Sequence, residues 1–276
     1  MIIDSHHHYW HYNPVEYHWI DDSMKVIRTD FLPEKLEKTI LKAGIDGVIS
    51  VHARQSVEET EWLIGLAHQN PFMKGVVGWL PLCQDDIEVY LIHHSGEKIL
   101  KGIRHVVQGE SDPDFILGKD FNRGISLLKR YSLVYDILIM ERQLPNTIKF
   151  VDLHPCQSFV LDHIAKPLIG INELSPWKEN IQELAKRENV SCKISGMVTE
   201  SDFNHWTPEQ LLPYFDVILE AFGPDRLLFG SDWPVCLVAT TYKSWADLVR
   251  KNISTFSKTE QAKIMGKNAV RIYDLQ

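Results

Sequence analysis

Along the chain, short runs rich in apolar and β-branched residues alternate with stretches of helical spacing, and the alternation repeats eight times. The strand candidates are Ile2–Asp4, Gly47–Val51, Lys74–Leu80, Gly102–Val107, Leu133–Ile139, Phe159–His163, Val190–Ser195 and Leu227–Ser231. Several are apolar on both faces, as strands of a covered parallel sheet must be. Helical patterns cover Pro33–Ala43, Val57–Asn70, Asp120–Arg130, Glu141–Leu153, Pro176–Glu188, Pro208–Phe222, Tyr242–Asn252 and Thr259–Tyr273. Pro33 opens the first of these and Gly44 closes it, and Gly223-Pro224 stops the sixth. Eight strands with helices between them favour an α/β fold closed into a (β/α)8 TIM barrel. The competing doubly wound open sheet loses weight because no GxGxxG follows the first strand. No Pro-, Gly- or Ser-rich linker interrupts the pattern. The expectation is therefore one barrel domain over residues 1–276.

A barrel of this kind carries its chemistry at the C-terminal ends of its strands. The first strand runs into Asp4-Ser5-His6-His7-His8. Strand alternation puts His6 and His8 on one face and His7 on the other. Two imidazoles so placed can hold a divalent metal or grip an oxyanion, and hydrogen-bonded structural histidines are the plain alternative. The sixth strand ends at Asp162-His163 and the eighth at Ser231-Asp232-Trp233-Pro234. Asp232 can be a metal ligand, a general base or a helix cap. Arg104, on the fourth strand, can bind a carboxylate or polarise a carbonyl with two donors, or sit in a structural ion pair. Arg54 and Gln55, after the second strand, are weaker candidates for the same pocket, and Lys193, which shares a face of the seventh strand with Ser195, either points into the site or fills a layer deep in the barrel. Trp10, Trp79 and Trp233 are candidate apolar or sugar-stacking walls, although a tryptophan in such a barrel is more often core. His105 and His154 read as structural, and His68, His93 and His94 as solvated helix residues. The long Tyr9–Asp30 segment has the length of a lid or binding loop.

The net charge of −8 argues against nucleic acid or an anionic membrane as partner. No apolar run is long enough to span a bilayer, and the first residues lack the basic and apolar regions of a signal peptide. Cys83, Cys156, Cys192 and Cys236 are widely spaced, which fits reduced thiols in a cytoplasmic protein.

The order and spacing of six blocks resemble the amidohydrolase superfamily (amidohydrolase family 2). The likeness is to its sugar-lactone lactonase branch, the L-fuconolactonase and L-rhamnonolactonase type, related to pyrone-dicarboxylate lactonase. These blocks are Ile3-Asp4-Ser5-His6-His7-His8-Tyr9-Trp10, Glu58–Leu63, Lys101–His105, Val160–Pro167, Asp225–Pro234 and Asn268–Tyr273. The resemblance covers nearly the whole chain. It implies a hydrolase that opens a sugar-acid lactone, with Asp232, His163 and Arg104 catalytic. Trp10, His52, Arg54, Asp136, Lys193 and Trp233 would line the substrate pocket. His6, His8 and Asp232 would be the ligands of any metal. His52 departs from the glutamine of many relatives. Arg104 and Asp136 stand where a lysine or glutamate would bridge two metals, so a binuclear centre is not expected. Two states stay open: one Zn2+ or Mn2+, or no metal requirement. The expected partner is a small lactone or sugar acid, and a homo-oligomer is compatible with the sequence. The rival reading is a zinc-dependent, non-hydrolytic decarboxylase of an aromatic or muconate-type acid. A non-catalytic binding barrel is the third.

Overall fold

The computed structural model describes residues 1–276. Its eight strands are β1 Ile3–His7, β2 Gly47–Val51, β3 Met73–Gly78, β4 Leu100–His105, β5 Val134–Ile137, β6 Phe159–Leu161, β7 Val190–Ile194 and β8 Leu227–Phe229. They form one parallel sheet in chain order. The sheet closes from β8 back to β1 through a parallel His7↔Trp233 bridge. Asp232 N–H donates to the His6 carbonyl at 2.8 Å and His8 N–H to the Trp233 carbonyl at 2.7 Å. The barrel that the alternation predicts is thus the fold observed. Its β6 and β8 stop short of the expected ends, so His163 and Asp232 stand in turns beyond the ladder.

The helices are α1 Pro33–Ala43, α2 Val57–Gln69, α3 Ile87–His94, α4 Lys119–Leu128, α5 Leu144–Leu153, α6 Trp177–Leu184, α7 Pro208–Phe222, α8 Tyr242–Asn252, α9 Lys258–Ala262 and α10 Asn268–Ile272. Local chemistry sets several ends. Pro33 and Pro208 occupy first-turn positions, Ser56 and Thr207 accept from backbone N–H groups at their helix starts, and Gly44 takes a left-handed conformation. The helical spacing does not delimit α3, although His93 and His94 are expected on a helix. Its apolar residues face both ways, with Ile87 and Leu91 buried while Val89 and Ile92 are exposed, which erases the stripe. The expected last helix is split into α9, a π turn at Lys263–Lys267 and α10. Gly266 lies so close to the N-terminus that a Cβ there would stand 2.4 Å from the Met1 carbonyl.

Tyr9–Asp30 is no open loop. Trp10 and Phe31 form an antiparallel bridge, and Tyr9, Trp10, Tyr17, Ile20 and Ile27 are buried in the main apolar core. A second, smaller core lies inside the barrel, where Ile3, Ile49, Val51, Val77, Val134, Val160 and Leu228 meet residues after α9 such as Ala269, Tyr273 and Leu275. No helix is long and apolar enough to cross a membrane.

Candidate active site at the barrel mouth

The pleat of β1 does what its alternation requires. The His6 and His8 rings meet edge to face at 4.9 Å, whereas His7 packs on Tyr9 and accepts from the Ser50 hydroxyl. Asp4 anchors the β8 end from below. Its carboxylate accepts from the Ser231 N–H and hydroxyl at 2.8 and 2.6 Å and from the Tyr242 hydroxyl at 2.9 Å. Burial pushes the Asp4 carboxyl up to about 6 despite these donors. Ser231 held in this way presents Asp232, whose φ of 56° is left-handed, toward the histidines.

After β6 the backbone makes a left-handed turn without glycine. His163, Ile164, Ala165 and Lys166 all have φ between 48° and 60°. Such residues cost about 1–2 kcal/mol each. The turn is held by burial of Ile164 and Ala165 and by Trp177 Nε1–H donating to the Ile164 carbonyl at 2.7 Å. Concentrated strain of this kind is characteristic of functional sites. It aims His163, with Nδ1 2.9 Å from Ser195 Oγ and its ring 4.4 Å from that of His6. Gly196 packs beneath it; a Cβ there would lie 2.6 Å from His163 Cγ.

Three donor atoms converge. His6 Nε2 and His8 Nε2 are 3.2 Å apart, and Asp232 Oδ1 lies 3.8 and 3.4 Å from them. A tetrahedral ion with bonds of about 2.0–2.1 Å separates its ligands by about 3.3 Å, so the spacing fits one divalent cation. His8 Nδ1–H donates to the Val51 carbonyl at 2.8 Å, which fixes the ring and turns Nε2 toward the cluster. Burial holds His6 well below the usual histidine range. Burial also raises the Asp232 carboxyl, but His163, His8 and Lys166 outweigh it and keep the group below its ordinary value. The cluster therefore sets two imidazole nitrogens against a carboxylate oxygen, an arrangement that needs a cation or a proton among them. One further atom agrees: Asp162 Oδ1 is fully buried, has the Lys193 ammonium at 2.9 Å, and lacks an aligned hydrogen bond from His6 Nδ1, 3.3 Å away. A proton on His6 Nδ1 would satisfy it and free Nε2 for a metal.

The remaining expectations fare unevenly. Arg104 is 3% exposed. Its Nη1 pairs with Asp162 Oδ2 at 3.1 Å and lies 3.4 Å from His6 Nε2, and its Nη2 donates to the His52 carbonyl, so Arg104 sits in a buried ion pair at the edge of the histidine cluster. His52 is buried. Its Nδ1–H donates to the Arg54 carbonyl at 2.8 Å, and Nε2 lies 3.4 Å from Arg104 Nε, which makes it a support for Arg104. Lys193 and Asp136 pair with each other at zero exposure, inside the barrel rather than on a pocket wall. Trp10 is wholly buried against Tyr17 and Phe31, with Nε1–H donating to the Thr29 carbonyl. Trp233 is buried against Phe31 and Tyr9. Neither tryptophan faces an open space. Arg54 keeps partial exposure and is paired with Glu16 and Glu59 at 2.5 and 2.9 Å. Trp79 donates to His105 Nδ1, and His105 Nε2 contacts Glu110 at 2.6 Å. His94, expected in solvent, is buried with Nδ1 on the Tyr90 carbonyl, because it lies on the inner side of α3.

Sequence reasoning passed over Asp162, which touches His6, Arg104 and Lys193. It also passed over Glu200, which pairs with Lys166 at 3.5 Å beside the mouth. A count of barrel charges would have signalled the first, since Arg104 and Lys193 demand more than the single carboxylate Asp136.

Fold and site together define a (β/α)8-barrel enzyme whose strand ends bring nitrogen and carboxylate donors to one point. The amidohydrolase family model matches residues 3–275. The chain belongs to the amidohydrolase family. It is 38% identical, over 100% of its length and 96% of the relative's, to a protein of Burkholderia multivorans named L-fucono-1,5-lactonase. A protein of the same name from Burkholderia ambifaria is 30% identical over 98% of this chain and 94% of its own. The crystal structure of a Burkholderia multivorans amidohydrolase with bound zinc superposes with a TM-score of 0.97 at 37% identity, covering 100% of both chains.

Proposed function

We propose that this protein hydrolyses a sugar-acid lactone of the L-fucono-1,5-lactone type, with L-rhamnono-lactone as the nearest variant. The observation that carries the reading is the full-length 38% identity to an enzyme of that name. The local chemistry supports it. All three histidine contacts of Asp232 fall on Oδ1, which leaves Oδ2 to a water molecule. Asp232, ionised at neutral pH, orients that water and takes its proton as oxygen adds to the ring carbonyl. The carbonyl C–O ring bond then breaks, and the ring oxygen leaves with a proton. His163, lowered to about 4 by burial and so neutral, has Nε2 4.0 Å from Asp232 Oδ1 and stands ready to pass that proton on. One Zn2+ or Mn2+ held by His6, His8 and Asp232 would supply Lewis-acid polarisation of the carbonyl.

An uncharged lactone suits this mouth better than the carboxylate substrate of a decarboxylase. Arg104 is paired with Asp162, Arg54 with Glu16 and Glu59, and Lys166 with Glu200, so each cation around the site already has its anion. The test is a pH-indicator assay across aldonolactones, with carbon dioxide trapped and with or without chelator. The reading expects one proton released per lactone opened and no carbon dioxide. Carbon dioxide from an aromatic or muconate-type acid, with no lactone opened, would replace it with the decarboxylase.

A further inference from the structure

Below the mouth a column of buried polar groups runs along the barrel axis. The Tyr273 hydroxyl, just past α10, donates to Asp136 Oδ1 at 2.7 Å. Asp136 Oδ2 pairs with Lys193, and Lys193 Nζ lies 2.9 Å from Asp162 Oδ1. Both Lys193 Nζ and Asp162 Oδ1 are 3.3 Å from one atom, His6 Nδ1. These two neighbours make opposite demands. An ammonium only donates, so it needs a bare Nδ1 and a proton on Nε2. A carboxylate only accepts, so it needs the proton on Nδ1 and a bare Nε2.

As the chain stands, His6 Nδ1 has its aligned contact with Lys193, and Asp162 Oδ1 has the Lys193 ammonium at 2.9 Å and no aligned hydrogen bond from His6. In that form His6 Nε2–H faces His8 Nε2, 3.2 Å away. In the other form His6 Nδ1–H satisfies Asp162, and Nε2 is open to a cation and to Arg104 Nη1 at 3.4 Å. Lys193 loses little in the exchange, because Asp136 and Asp162 still accept from it.

We propose that Lys193 and Asp162 are a positioning pair for His6, and that cation entry moves the Nδ1 contact from Lys193 to Asp162. The proposal rests on reading His6 as a metal ligand. Asp162 thereby makes His6 a ligand through a carboxylate–histidine pair, and Lys193 holds the metal-free form together. Tyr273 and Asp136 keep Lys193 in place and do not touch His6.

Nitrogen-15 NMR of the histidine-labelled full chain reads the proton position directly, with chelator and then with zinc. The expected result is His6 Nε2–H without metal and Nδ1–H with zinc. Asp162→Asn should weaken zinc binding about 10–100-fold in chelator competition, the usual effect of losing an outer-shell partner of a metal-bound histidine. Tyr273→Phe should leave the affinity near that of the parent. An Nε2–H proton on His6 in the zinc-loaded protein would overturn the proposal, as would undiminished zinc affinity in Asp162→Asn or no zinc binding by the parent chain. The parent spectrum decides the matter even where Asp162→Asn does not fold. Lactone turnover of the same samples tests the lactonase reading separately.

Discussion

At the barrel mouth His6 Nε2, His8 Nε2 and Asp232 Oδ1 face one another, and the guanidinium of Arg104 reaches only the edge of the cluster, 3.4 Å from His6 Nε2. One layer further in, Arg104 and Lys193 pair with Asp162 and Asp136. The two regions share residue types and near-complete burial, yet differ in balance. In the inner layer two cations meet two carboxylates, Asp136 and Asp162, whereas Asp232 at the mouth has imidazoles for its nearest partners. A structural layer settles its charges internally; a reactive or cation-binding one leaves them for an outside group. The inner layer should therefore respond to substitution through stability and the mouth through turnover.

The largest stability effect is expected from Lys193→Met, which leaves Asp136 and Asp162 without their shared cation and should cost about 3–5 kcal/mol in urea unfolding. The cost should depend on pH. Burial holds the Asp136 carboxyl up at about 6 even beside Lys193, against 3.8 for a free group. A carboxyl raised on folding contributes full stability below its unfolded value and loses it as pH rises through the folded one. Without Lys193 the carboxyl rises further, so the deficit of Lys193→Met should be larger at pH 8 than at pH 5. A deficit independent of pH would mean that Asp136 does not carry it.

Gly196→Ala probes the boundary between the regions. Its φ of +66° and the His163 ring leave no room for a methyl group. The left-handed conformation should cost about 1–2 kcal/mol. The displaced ring should lower turnover by up to about 10²-fold. Equal loss of stability with full turnover would remove His163 from the reaction. The smallest effect is expected from Trp10→Phe. Loss of the Thr29 hydrogen bond and some packing should cost about 1–2 kcal/mol and leave KM unchanged. A raised KM in a fully stable variant would return Trp10 to the substrate pocket.

These contrasts mark what the sequence could disclose. The barrel was legible because strand and helix periods alternate without a break. The mouth was legible because period-two alternation places His6 and His8 together whatever surrounds them. Depth was not legible. Arg104, Asp136 and Lys193 point inward as strand residues should, but whether an inward side chain meets substrate or another charge depends on which layer it enters. Trp10 and Trp233 were misplaced for a related reason: the Tyr9–Asp30 segment folds down over them, and nothing local in its composition separates a packed loop from an open one. Asp162 was hidden because β6 ends at Leu161 and the left-handed turn after it breaks the alternation that locates side chains.

The distinction between the regions is tested most directly by measuring lactone turnover and the unfolding midpoint of Asp232→Asn together. A positioned base is worth about 10²–10⁴ in rate, so turnover should fall by that factor while the midpoint stays close to the parent's. Near-parental turnover in a folded Asp232→Asn protein would contradict the account.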